Sequence, residues 1–310
     1  MPTESAVLLM AYGTPDRLED VGDYYTHIRG GRRPAEDAID NLRARYVAIG
    51  GTTPLRTITE TVRDRLREQL AADGLPRDVY FGMRHWHPYI AETMRTMHDA
   101  GVRRVTAIAL APHYSRMSIG AYRDAVEAAH ADLARPFDIT FVERWHNEPA
   151  FIALMAFRVH DALARLPEAD RASVTVVFSA HSLPIRIREW KDPYEAELLE
   201  SSAAVAARLG LRDWRFAWQS AGGSREPWIG PDILEYLETL AAEGVRTVVQ
   251  VPIGFVSDHL EILYDIDIEA MEVARRLGIR LVRTEMPNAS PEFIRVLADA
   301  VAHAEAAPVE

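Results

Sequence analysis

Short apolar runs alternate along the chain with longer segments whose apolar residues recur every three or four positions. The runs at 6–11, 79–83, 102–111 and 137–142 are rich in β-branched and aliphatic residues, which predicts buried strands. Between them the helical period predicts helices over 18–28, 35–48, 58–71, 88–100 and 118–134. A bridging helix at 149–166 leads into the same rhythm: strands at 173–179, 214–218, 246–251 and 279–283, with helices at 195–209, 231–243 and 291–305. Alternation of this kind predicts parallel sheets covered on both faces. The expected fold class is α/β, with two Rossmann-like lobes, each a parallel sheet flanked by helices, and a cleft between them. The first lobe is expected at 1–148 and the second at 149–289, with the last helix, 290–310, packing back on the first. The halves share a coarse plan: LLMAYGTP (8–15) and VVFSAHSLP (176–184) each run from a strand into a polar turn.

The second of these turns carries the first candidate chemistry. His181 is placed just past the strand's carboxyl end, where open α/β sheets bind ligands. A loop histidine bonded to nearby backbone fits that position equally well. Eighty residues on, Pro252 and Gly254 end another strand, and a helix is expected from about Ser257 or Asp258. It carries Asp258, Glu261, Asp265, Glu269 and Glu272 at steps of three or four, on one face. Like charges at that spacing repel, and the helix N-terminus offsets only the first two. Such a stripe wants water, arginines or a metal cation; a solvated acidic face is the plainer explanation. The opposite face, Leu260, Leu263, Ile266 and Met271, is apolar. A histidine and a carboxylate meeting in one cleft would make a partial site for a divalent first-row metal. Tyr12, after the first strand, is expected to approach the cleft from the other side, or to be a buried tyrosine with a satisfied hydroxyl.

Composition narrows the classes. The formal charge is −11 and there is no basic run, which argues against nucleic acid. The absence of cysteine excludes disulfides, thiolate zinc sites and thiolate-held iron–sulfur clusters, so any metal is held by nitrogen and oxygen. No apolar segment is long enough to span a bilayer, and no basic region precedes the first apolar run, so a soluble cytoplasmic chain without integral membrane association is expected.

Along nearly its whole length the chain resembles the ferrochelatases. The resemblance is carried by MAYGTP (10–15), YYTHIRGGRRP (24–34), RYVAIGGTTPL (45–55), LAPHYS (110–115), VVFSAHSLP with DPY at 192–194, WQSAGG (218–223), PWIGPD (227–232), PIGFVSDHLEILYDID (252–267) and EMPNASPEFI (285–294). The tyrosine in MAYG makes the chain most similar to the soluble branch that inserts Fe(II) into coproporphyrin III, giving coproheme in heme biosynthesis. The resemblance implies His181 as metal ligand and proton acceptor, Glu261 as metal ligand, and Asp265 and Glu269 as an outer carboxylate relay. It also implies Tyr12 as a macrocycle contact of catalytic weight, and Arg29, Arg45, Thr53, Tyr122 and Ser220 as binders of the porphyrin's substituents. Iron is then a substrate and no cofactor is required; transient handover to neighbouring heme-pathway enzymes is a further expectation. Three positions depart from the family pattern: Lys191 replaces a glycine, Thr53 a serine, and Gly30 an arginine, although Arg32 and Arg33 can substitute for the last. Protoporphyrin IX as substrate, a cobalt or nickel chelatase of a sirohydrochlorin-type ring, and a non-enzymatic heme or metal carrier remain as alternatives. His85 and Trp86, after a strand, are expected to line the pocket or, for His85, to be a satisfied structural histidine; Trp145 and Trp228 are expected in the core rather than stacked on a macrocycle, and His113 is left unassigned.

Overall fold

Among the described residues, eight strands form two four-stranded sheets in the computed structural model, which describes residues 4–222 and 226–306. β1 (Ser5–Ala11), β2 (Asp78–Met83), β3 (Arg104–Ala109) and β4 (Asp138–Val142) lie in the order β2-β1-β3-β4. β5 (Thr175–His181), β6 (Trp214–Gln219), β7 (Thr247–Val251) and β8 (Arg280–Arg283) lie in the order β6-β5-β7-β8. All pairings are parallel, so both sheets are wound in the same order from their own first strand. The central strands β1 and β5 read as almost unbroken apolar runs because helices cover both faces.

Each sheet has its own core. Leu8 and Met10 of β1 pack with Met94 and Met97 of helix Ile90–Asp99 and Val126 of helix Ala121–Ala131. In the second sheet, Val177 and Val248 pack with Leu237 and Leu240 of helix Ile233–Ala242 and Val273 and Ala274 of helix Met271–Arg276. Each fully buried aliphatic side chain of this size contributes about 1.5–3 kcal/mol relative to exposure.

By its internal contacts the chain divides into two units. One runs through Trp145, takes in Ser257–His259 and resumes at Asn288; the other comprises His146–Val256 and Leu260–Pro287. Helix Pro291–Ala306 belongs to the first, packing on helix Leu55–Ala72 and on β3 and β4, with Phe293 6.0 Å from the Trp145 ring. Residues 1–3 of the expected first lobe, 307–310 of the expected last helix and Gly223 of WQSAGG lie outside the described residues. The brief return of Ser257–His259 to the first unit is held by reciprocal bonds: the Asp258 N–H donates to Asn288 Oδ1 at 2.8 Å, and Asn288 Nδ2 donates to Asp258 Oδ2 at 2.7 Å.

Candidate active site

The second sheet ends in a histidine. β5 runs two residues further than its apolar pattern predicts, so His181 is the strand's last residue, not the first of the turn. β5 is flanked by β6 on one side and β7 on the other, so its carboxyl end is the topological switch point where such sheets bind ligands. The strand end is pinned from two sides. The Ser182 N–H donates to the Gln219 carbonyl at 2.8 Å, and the Tyr194 hydroxyl donates to the His181 carbonyl at 3.1 Å. His181 Nδ1 donates to the Ser182 carbonyl, which leaves Nε2 facing Glu261 Oε1 at 3.4 Å. Both side chains remain about one-third exposed (29% and 34%), enough to meet a ligand arriving from solution.

Burial is the largest single influence on His181 and would lower its pKa. The Glu261 charge and hydrogen bond, the Ser182 carbonyl and Asp265 together outweigh it and push the imidazole up to about 9. His181 therefore holds its proton through neutral pH, with Nε2 turned toward Glu261. A sequence reading that takes the imidazole as neutral near physiological pH misses this, because the partners are eighty residues away in the chain. A divalent cation taken up at Nε2 would have to displace that proton.

The expected continuous acidic helix is not formed. A single turn, Leu260–Leu263, gives way to a π-helical stretch, Asp265–Ala270, and then to helix Met271–Arg276. Asp258 lies ahead of the helix in the loop bonded to Asn288, and Glu272 is exposed, so the five carboxylates do not share one face. The wider π turn changes the angular step between residues, and one sequence cannot reveal that. The buried stripe is Ile262, Ile266 and Ala270; Leu260, Leu263 and Met271, expected inside, are only half-buried. Asp265 is itself buried and accepts a close hydrogen bond from the Ser220 hydroxyl, while Glu269 is half-buried. Asp267 is taken by Arg283, with contacts of 2.7 and 2.9 Å.

The first unit's strand end has a different character. Tyr12 follows β1, is 43% exposed, and sets its ring 4.6 Å from that of His85. His85 Nδ1 lies 3.1 Å from His27 Nδ1, and His27 stacks on Tyr89. Burial first, then Arg84 and His27, push His85 down to about 3, so it is neutral across the physiological range. Tyr122 is buried beside Arg84, and burial raises its phenol above the usual value. The Thr53 hydroxyl donates to Thr14 Oγ1 at 2.9 Å. Arg29 is exposed at the end of helix Val21–Ile28, and Arg45 is half-buried on helix Glu36–Ala48. Arg33 pairs with Glu36 at 2.9 Å. Trp145 is a core residue whose indole donates to the Ala109 carbonyl at 3.1 Å, and Trp86 is buried with its indole on Asp16. Trp228 stands 6.2 Å from the His181 ring, and His113 is buried.

Two residues of the site carry no role in the sequence reading. Tyr194 lies within the DPY motif, and its phenol is bonded to the main chain of His181. Gln219, within WQSAGG, is buried with its amide on the main chain of Glu261 at 3.0 Å. A glutamine directly after the apolar triplet Phe216–Trp218 is the signal that would have singled it out.

The family model described as Ferrochelatase matches residues 4–305. A ferrochelatase of Herpetosiphon aurantiacus is 49% identical over 298 residues, covering 96% of this chain and 98% of the relative. A coproporphyrin III ferrochelatase of Geobacillus kaustophilus is 42% identical over 300 residues, covering 96% and 95%. Among solved structures, SirB from Bacillus subtilis with Fe3+ shares the fold, with a TM-score of 0.61 at 10% identity over 99% of this chain and 96% of that one.

Proposed function

Because the chain belongs to the ferrochelatase family, we propose that its reaction is the insertion of ferrous iron into coproporphyrin III to give coproheme. The enzyme is a porphyrin metal chelatase, a lyase of heme biosynthesis whose substrates are a porphyrin and iron. Among the described residues no helix is long and apolar enough to cross a membrane. The observation that carries the residue assignment is His181 Nε2 facing Glu261 Oε1 at the end of β5.

Metalation replaces two pyrrole N–H protons with one Fe(II), so the protein must receive a cation and clear protons at one place. His181 and Glu261 serve as the two protein donors, one nitrogen and one oxygen. His181 yields its Nε2 proton as the cation binds and, as the iron passes to the ring, accepts one pyrrole proton; the second goes to Glu261, which the departing iron frees. Asp265, buried behind the pair, and Glu269 carry protons or hydrated cations outward. Ser220 reaches this row through Asp265, in addition to its assignment as a porphyrin contact. Tyr12 is assigned a macrocycle contact; Arg29, Arg45, Thr53 and Tyr122 are assigned to the ring's propionates and rim, where an arginine fork suits a carboxylate. No resident cofactor enters the scheme.

Coproporphyrin III is favoured by the tyrosine of the MAYGTP segment and by the likeness to a relative named for that substrate. The test is anaerobic incubation with Fe(II) and either coproporphyrin III or protoporphyrin IX, following the absorbance of the metallated ring. Faster turnover of coproporphyrin III is expected. Faster turnover of protoporphyrin IX would overturn the substrate and leave the insertion chemistry standing.

A further inference from the structure

We propose that Gln219 is a positioning residue: its side-chain amide fixes the main chain of Glu261 against the end of the His181 strand. The inference rests on the reading of His181 and Glu261 as the insertion site. A line of three fully buried polar side chains crosses the sheet from β7 through β5 to β6. Gln250 Nε2 donates to Ser179 Oγ at 3.1 Å, and the Ser179 hydroxyl donates to Gln219 Oε1 at 3.0 Å. Gln219 Nε2 then donates to the Glu261 carbonyl at 3.0 Å.

The direction of this line is dictated from its far end. A carbonyl only accepts, so Gln219 must present Nε2 to Glu261 and Oε1 to Ser179. Ser179 must then donate, and Gln250 must offer its nitrogen. That leaves Gln250 Oε1 buried without a hydrogen-bond partner among the described residues. An apolar layer would fill the same space without burying amides, so packing alone does not account for the line.

Gln219 also acts through its main chain. It is in register with His181, and its carbonyl accepts from the Ser182 N–H. The next residue, Ser220, adopts a left-handed conformation (φ 60°) and bonds Asp265. Two consecutive residues thus tie the strand of His181 to Glu261 and to Asp265. Glu261 sits on the single helical turn Leu260–Leu263, and this tie from the end of β6 fixes the main chain from which its carboxylate projects.

The test compares Q219M and Q219E with the wild-type enzyme, using steady-state iron insertion, Zn2+ titration of the metal-free protein, and thermal unfolding. Q219M keeps the volume and loses the donor. It is expected to lower kcat about 10–100-fold while the porphyrin KM stays within about two-fold, and to weaken Zn2+ binding about ten-fold. Q219E places a carboxylate against the Glu261 carbonyl at high pH. As pH falls and that buried acid takes a proton, it donates again, so activity relative to Q219M rises toward acid. If Q219M does not fold, S179A leaves the amide in place but unanchored, and a three- to ten-fold loss of kcat is expected by the same logic. Folded Q219M or S179A with wild-type kcat and Zn2+ affinity would overturn the proposal. So would a Q219E pH profile parallel to that of Q219M. Zn2+ binding sensitive to both H181A and Q219M, in a wild-type protein that inserts iron into no porphyrin, would sink the functional reading while upholding the role of Gln219.

Discussion

The two sheets are wound in the same strand order, yet the histidines at their strand ends are tuned in opposite directions: His85 just after β2 of the first sheet, and His181 at the end of β5 in the second. Beyond β2, burial first and then Arg84 drive His85 down to about 3, and burial raises the Tyr122 phenol, so both are uncharged at neutral pH. At the end of β5, Glu261 and Asp265 push His181 up to about 9 despite its burial. Strand ends of the same fold therefore carry an uncharged aromatic cluster in one unit and an ionic pair in the other. The fold decides where a ligand is met, and the side chains placed there decide what happens to it.

The largest expected effect comes from removing the ionic end. His181→Ala should lower iron insertion at least about 100-fold while most tetrapyrrole binding survives, as separate turnover and absorbance-binding measurements will show. An equal loss of binding would place His181 in ring recognition instead. Next in size is the proton dependence of metal binding. Since the folded His181 holds a proton up to about 9, a divalent cation must displace it. The apparent Zn2+ affinity of the metal-free protein should thus rise about ten-fold per pH unit between pH 6 and 8 and flatten above 9. The same raised pKa makes the ion pair a stabilising element at low pH. Its contribution is full below the unfolded value of about 6.5 and lost as pH rises through about 9. A substitution at the uncharged end, His85→Asn, is expected to leave the pH slope of Zn2+ binding unchanged.

The smallest effect concerns backbone. The turn after β1 uses Gly13 at φ 106°, where a Cβ would sit 2.9 Å from the Trp86 nitrogen. Beyond β5, non-glycine residues take left-handed conformations, Lys191 at φ 53° and Ser220 at φ 60°. Ser220 uses that conformation to reach Asp265, whereas Lys191 stands where the resemblance to the family leads one to expect glycine. Lys191→Gly should stabilise the protein by about 1 kcal/mol in thermal or denaturant unfolding, with unchanged turnover.

Much of this was legible in the sequence, for identifiable reasons. The strands announced themselves because both sheet faces are covered, which makes Leu8–Ala11 and Val176–Phe178 nearly continuous apolar runs. Two strand ends each followed by polar residues suggested a histidine beside a carboxylate, the family resemblance chose Glu261 among the five acids, and the structure brings His181 and Glu261 to 3.4 Å. The shape of the acidic segment was not legible. A π turn leaves no signature in a 3.6-residue pattern, so the excursion of Asp258 and the true buried stripe of Ile262, Ile266 and Ala270 could not be read from spacing. Protonation was equally hidden, since the charges acting on His181 and His85 come from residues remote in sequence or masked by burial. Gln219 was visible only as a motif letter, because its role is a bond to a main-chain atom.

The most direct test of the contrast is an NMR titration of the histidine side chains in the metal-free protein, with His181 and His85 assigned by substitution. The account predicts that His181 titrates near pH 9 and that His85 shows no titration above about pH 4. Both imidazoles titrating together near the ordinary value of about 6.5 would contradict it.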